Sequence, residues 1–189
     1  MSKEVEDANE FARVLQLNSG MILGMVMKAA IELDLFEIMA KAASVGGTSP
    51  FGDDANKLSS DDIVAHLPTQ NPAAKTILER ILRFFAANSI LIQTVVVEDG
   101  KEKSLYSLAS ICKHYIADED GVLLAPLLLM LHDKVFVDSW YQLKDAVLEG
   151  GIPFNKAHDG MHAFEYPAKD GRYNDVFNQA MYDHTSTPL

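Results

Sequence analysis

The sequence predicts a mainly α-helical chain built on a winged-helix core with a small β-hairpin wing. Three observations point there. Apolar residues recur at helical spacing from Phe11 to about Ala43 and again from Ile77 to Ala86. The β-branched run Ile90–Val97 is followed by Glu98-Asp99-Gly100-Lys101 and a return run Ser104–Leu108, which reads as a hairpin. Helical patterning then resumes from about Gly121.

Taken in order, residues 1–10 are polar and expected to fray at the very end. Phe11, Val14, Leu15, Ile22, Met25, Val26, Ala29, Ala30 and Leu33 follow helical spacing, with Phe36, Ile38 and Met39 beyond. Gly20 and Gly24 interrupt the pattern, so two helices or one bent helix are expected, then a further short one. Gly46–Asp54 reads as a surface loop. Leu58-Ser59-Ser60-Asp61-Asp62-Ile63 offers a Ser cap with first-turn acids that complement the positive helix end. Asn71-Pro72 opens the next helix, with Pro at its first position. After the hairpin, Leu123–Leu131 and then Lys134–Leu148 read as helices, the second with Trp140, Tyr141, Leu143 and Val147 inward. Gly150-Gly151-Ile152-Pro153 ends it. A loop-rich stretch follows, and a last helix is expected over about Asn174–His184.

Composition bounds the function. With 189 residues, 48% of them hydrophobic and 23% charged, the chain suits one domain, or one domain with an appendage. A compact fold of that size buries roughly 70% of the unfolded surface. Sixteen Lys and Arg against 27 Asp and Glu give a net charge of −11, which disfavours polyanionic partners. One cysteine, Cys112, excludes an internal disulfide and fits a reducing compartment. The acidic start carries no apolar signal region, and the run Val122–Leu131 is too short to span a bilayer. A cytoplasmic protein with neither membrane nor nucleic-acid partner is the expectation.

No G-x-G pair, G-x-S-x-G, H-E-x-x-H or C-x-x-C occurs, and strands do not alternate with helices. His158 and His162 are four apart, but Gly160 lies between them and no third ligand has suitable spacing; no metal site is expected. Met21, Met25 and Met27 read as flexible core filling or an adaptable pocket lining. Phe177, Met181 and His184 share one helix face. A histidine beside Phe and Met is more often packed and hydrogen-bonded than catalytic.

Longer runs carry a resemblance. Asp133-Lys134-Val135, Ser139–Ala157, Gly160–Tyr166, Phe177–His184 and, upstream, Lys28–Ile38 resemble plant S-adenosylmethionine-dependent O-methyltransferases of the caffeic-acid type. The resemblance covers nearly the whole chain. It implies a winged-helix dimerisation domain over residues 19–118, preceded by an arm at 1–18. A helical connector and substrate-lining segment at 119–189 would lead into an α/β methyltransferase domain that these residues do not include. The chain therefore resembles a truncated subunit, and its catalytic histidine is expected in the missing domain. Alone it is expected to be inactive and to bind no S-adenosylmethionine.

Position by position, the resemblance implies that Met130, Phe136, Ala163, Tyr173, Phe177, Met181 and His184 line the pocket of a small phenolic substrate. Phe164, Met181 and Thr185 fall near the methionine end of the donor. Met21, in the segment Ser19–Met25, is implied to contact the partner subunit's pocket. Departures from the pattern reshape that wall: Leu131-His132 replaces Asn-Gln, Pro167 replaces a histidine, Phe136 stands for Leu, and Tyr173 for Phe. They favour an alkaloid or other specialised phenol over a lignin phenolic. The expected partner is a second copy or a full-length paralogue. In the latter case the chain would be a non-catalytic subunit of a heterodimer. A winged-helix DNA binder is the remote alternative: Lys75, Arg80 and Arg83 against Glu79 leave a surplus of only two positive charges.

Overall fold

A computed structural model describes residues 3–44, 49–116 and 124–186, with the side chains of 3–6, 8 and 184–186 outside the described set. Helix α1 (Lys3–Glu32) turns at Asp34, a left-handed residue with φ 52°, into α2 (Leu35–Ala43). A short α3 (Ser60–Val64) and α4 (Ala74–Ala87) follow, then the antiparallel hairpin β1 (Leu91–Glu98) and β2 (Lys101–Leu108). Phe51 and Leu58 pair with Leu108 and Tyr106, so a loop strand flanks the end of β2. This is the helix, helix, hairpin arrangement read from the sequence.

The local chemistry accounts for these elements. Ser59 and Asp62 form a reciprocal capping box at α3. The Ser59 hydroxyl, followed by its amide, holds the Asp62 carboxyl below its ordinary value. Asn71 Oδ1 accepts from the Ala73 amide at 3.0 Å, so α4 begins at Ala74, two residues after the proline expected to open it. Asp99 and Gly100, at φ 52° and 72°, turn the hairpin with both central residues left-handed, the twist that matches paired strands. Phe36, Met39, Ile63, Leu78, Leu82, Phe85, Tyr106 and Leu108 close one core between the helices and the hairpin. Cys112 is sealed in it. Its Sγ–H donates to the Ile90 carbonyl at 3.1 Å, and burial pushes the thiol up to about 12.

The glycines at 20 and 24 do not break α1, which takes the single-helix alternative, with the short α2 after it as expected. Each glycine costs about 1 kcal/mol relative to alanine, which a 30-residue helix tolerates, and Gly24 serves a contact instead. The segment 134–148 is not one helix. It divides at Gln142 into α6 (Lys134–Tyr141) and α7 (Leu143–Glu149), after α5 (Ala125–Leu131). α6 turns Val135 and Ser139 inward and α7 buries no residue, so Trp140, Tyr141, Leu143 and Val147, expected inward, are all exposed, Val147 at 85%. A further turn of helix, α8 (Pro153–Ala157), lies in the stretch read as loop, and α9 spans Gly171–Ser186.

Helices α5 to α9 carry a second core. Met130, Val135, Phe154, Tyr173 and Ala180 are buried together, with Leu127, Ala163, Tyr166, Val176, Phe177 and Met181 packed on them. Between the two cores, α1 meets α5. A Cβ at Gly24 would lie 1.9 Å from Nε2 of His132, so any side chain there would displace that imidazole.

Candidate acceptor wall and pairing face

The second core gathers most of the residues assigned to the phenol wall. Met130, Ala163, Tyr173, Phe177 and Met181 share one cluster. Tyr173 is 1% exposed and Met130 is buried, so these two form the floor. Ala163, Phe177 and Met181 sit partly exposed above it. Burial comes first among the causes that push the Tyr173 phenol up to about 12, and the Asp133 charge adds to it. Tyr173 stays neutral through any ordinary pH.

Ring contacts run through this cluster without a gap. Phe154 meets His158 at 4.4 Å, His158 meets Tyr166 at 4.5 Å, and Tyr166 meets Tyr173 at 5.9 Å. Phe177 continues the chain at 6.0 Å and meets Phe164 edge-on at 5.9 Å. Phe164 itself is 80% exposed. The series of tilted and edge-on rings thus runs from the second core to solvent.

Phe136 does not join the cluster; it stands on α6, edge-on to Trp140 at 5.8 Å. The side chains of His184 and Thr185 lie outside the described residues. His158 is buried, with Nε2 2.8 Å from the Val135 carbonyl, so that nitrogen donates and is committed to structure. His162 is exposed. Among the described residues no group of three or more metal-ligating side chains exists.

The sequence reading missed what fixes α6 against α9. Asp133 caps α6 by accepting from the Val135 amide at 2.9 Å. The same carboxylate takes both terminal nitrogens of Arg172, which also lies 3.5 Å from Asp170. Burial works to raise the Asp133 carboxyl. The Arg172 and Val135 hydrogen bonds outweigh it and hold the group below its ordinary value. An Asp ahead of an apolar helix was a legible cap signal; a partner 39 residues away had none.

Met21 is on neither core. It lines a hollow of about 370 Å³ on α1 with Ile22, Met25, Val26, Ala29 and Ile81, all apolar. α1 has two apolar faces. Leu23, Met27 and Ala30 turn inward. Phe11, Val14, Leu15, Met21, Ile22 and Met25 share an outward stripe roughly a third of the circumference wide, by helical geometry, and all are exposed. Apolar on both sides, Asn9–Glu32 is the one segment among the described residues long and apolar enough to cross a membrane. Spanning would pull Met27 and Ala30 out of the core. The groove between α4 and the hairpin is polar and carries charges of both signs. Lys75 pairs with Asp61 at 2.6 Å, Arg83 with Glu79 at 3.1 Å, and Lys103 with Glu98 at 3.2 Å. A would-be DNA-reading helix with Lys75 and Arg83 so engaged offers little to phosphates.

A helical winged core with an uncovered apolar helix face is the architecture of a subunit-pairing domain. Residues 15–118 match the family model of the O-methyltransferase dimerisation domain, and the chain belongs to that family. It is 54% identical over 185 residues to caffeic acid 3-O-methyltransferase 3 of Populus kitakamiensis, covering 97% of this chain and 47% of the relative. Identity to caffeic acid 3-O-methyltransferase of Eucalyptus gunnii is 53%, over the same shares. The chain thus spans about half the length of the curated relatives it matches. Human N-acetylserotonin methyltransferase, solved in complex with SAM, superposes with a TM-score of 0.66 at 18% identity, over 92% of this chain and 45% of that one. LaPhzM superposes at 0.64 with 20% identity, over 92% and 44%. At such identities the likeness is one of fold.

SAM is the methyl donor of the relatives' class, and the described residues do not fit it. Their sheet is a two-stranded antiparallel hairpin, with no parallel strands to present a donor crevice and no G-x-G turn.

Proposed function

We propose that this chain is the pairing and acceptor-wall portion of a plant phenolic O-methyltransferase. Residues 1–18 act as an arm, 19–118 as the pairing domain, and 119–189 as the connector that carries the wall. The observation that carries the reading is the coincidence of the dimerisation-family match with the outward apolar stripe of α1. Ala163, Phe177 and Met181, on a floor of Met130 and Tyr173, form one side of a phenol pocket, with Phe136 and His184 completing it. Phe164, Met181 and Thr185 border the donor, which a separate α/β domain binds. Met21 reaches the pocket of the partner subunit. Without that α/β domain the chain binds no SAM and transfers no methyl group. Its acidity and its single buried thiol support a cytoplasmic setting with no membrane and no nucleic-acid partner.

The decisive experiment joins residues 1–186 to the remaining half of the Populus relative. The chimera should methylate phenols, and Phe177→Ala should lower kcat/KM for the phenol about tenfold or more while leaving SAM affinity unchanged. A folded, SAM-binding chimera indifferent to Phe177→Ala would remove the wall from the account. A second reading makes the chain a non-catalytic partner of a full-length paralogue. Recovery of a mixed dimer on co-expression, with altered phenol preference, supports it.

A further inference from the structure

We propose that Arg172 and Asp133 are positioning residues for the acceptor wall: their fork sets where α9 presents Phe177 and Met181 relative to Met130 of α5 and Phe136 of α6. The proposal rests on the wall reading above and names what holds that wall in register.

The wall is divided between elements that pack separately. α9 lies mainly along α5, and α6 mainly along α8. Phe177 and Met181 belong to α9, whereas Phe136 belongs to α6. The packing around Met130, Phe177 and Met181 is apolar, and apolar burial is non-directional, so it favours contact without naming one register. Thioether side chains adapt to a small slide of α9. Register needs a directional tie.

Asp133 and Arg172 supply it. Asp133 sits at the turn between Met130 and Phe136. Its amide donates to the Met130 carbonyl at 3.2 Å, and its carboxylate caps α6 by accepting from the Val135 amide at 2.9 Å. The Val135 carbonyl is fixed in turn by His158, whose Nε2 donates to it at 2.8 Å. α6 thus starts from a turn held on two sides. The Asp133 carboxylate is 7% exposed and takes both terminal nitrogens of Arg172, Nη2 at 3.1 Å. A planar guanidinium on a planar carboxylate fixes angle as well as distance, which a single ammonium does not. Arg172 immediately precedes the floor residue Tyr173. Asp170, 3.5 Å from the guanidinium, accepts from the Tyr173 amide at 3.0 Å. The start of α9 is pinned to the start of α6, and the helix carries that placement on to Phe177 and Met181. Met181 lies nine residues beyond Arg172 in the same helix, about 13.5 Å along its axis.

The test labels the methionine methyl groups of the full chain with carbon-13 and compares Arg172→Leu and Asp133→Asn with the wild type. Asparagine keeps a cap on α6 and removes the charge, so it isolates the fork. Either change should move the Met130 and Met181 resonances and leave those of Met27 and Met39, in the other core, in place. The two together should add no further shift, as residues acting as one unit do. Arg172→Lys keeps the charge without the fork and should show the same displacement in a chain that melts near the wild type. Met181 is too far from Arg172 for a local disturbance to reach it. A folded Arg172→Leu chain with Met181 unmoved, or a lysine that restores the wild-type positions, would overturn the proposal. In the chimera above, Arg172→Leu should raise KM for the phenol about fivefold or more, change kcat less than twofold and leave SAM affinity unchanged. An unchanged phenol KM beside an effective Phe177→Ala would overturn positioning and keep the wall; an ineffective Phe177→Ala would remove the wall, and the proposal with it.

Discussion

Gly24 and His132 show how one hydrogen atom in place of a methyl group positions a helix. The imidazole occupies the space a side chain at 24 would need, and its Nδ1 lies 3.0 Å from the Leu128 carbonyl. Gly24→Ala should therefore destabilise the chain by about 1–3 kcal/mol through overpacking, despite the better helix propensity of alanine. Thermal melting checks this, and adding His132→Ala should recover most of the loss. Asp133 makes a different demand. Its folded value is depressed, so its contribution is complete above the unfolded value near about 3.9 and disappears as pH falls through the folded one. Acid should loosen α6 from α9 below about pH 4. Arg172→Met should leave a buried, half-satisfied carboxylate and move that transition to higher pH, visible in the near-ultraviolet signal of Trp140 and Tyr173.

At the scale of elements, short-range chemistry was the legible part. The capping box at Ser59 and the Asp99-Gly100 turn are set by adjacent residues, and both stand where the sequence put them. Ser59→Ala should cost about 1 kcal/mol in a denaturant titration. Glycine in α1 left one helix or two open, because its usual reading as a breaker competes with a packing role that only the neighbouring helix reveals. Trp140 and Val147 misled. Helical spacing names the residues that share a stripe, but a stripe turned inward and one turned toward a partner are identical in sequence. The wall shows the same limit: spacing put Phe177 and Met181 on one face of α9, and only the resemblance joined Phe136 to them, whereas Phe136 stands on α6 against Trp140.

For the whole molecule, two small cores and a long uncovered helix imply a protein finished by association. The outward stripe of α1 is a concentration of exposed apolar side chains within the matched dimerisation domain, and a symmetric pair would cover it. Sedimentation equilibrium of the wild-type chain beside Met25→Asp measures this most directly. The wild type should weigh twice 20.8 kDa at micromolar concentration, and Met25→Asp, which buries an unpaired charge at the pairing face, should weigh 20.8 kDa with unchanged helicity. A wild-type chain that remains a monodisperse monomer at the highest soluble concentration would contradict the account.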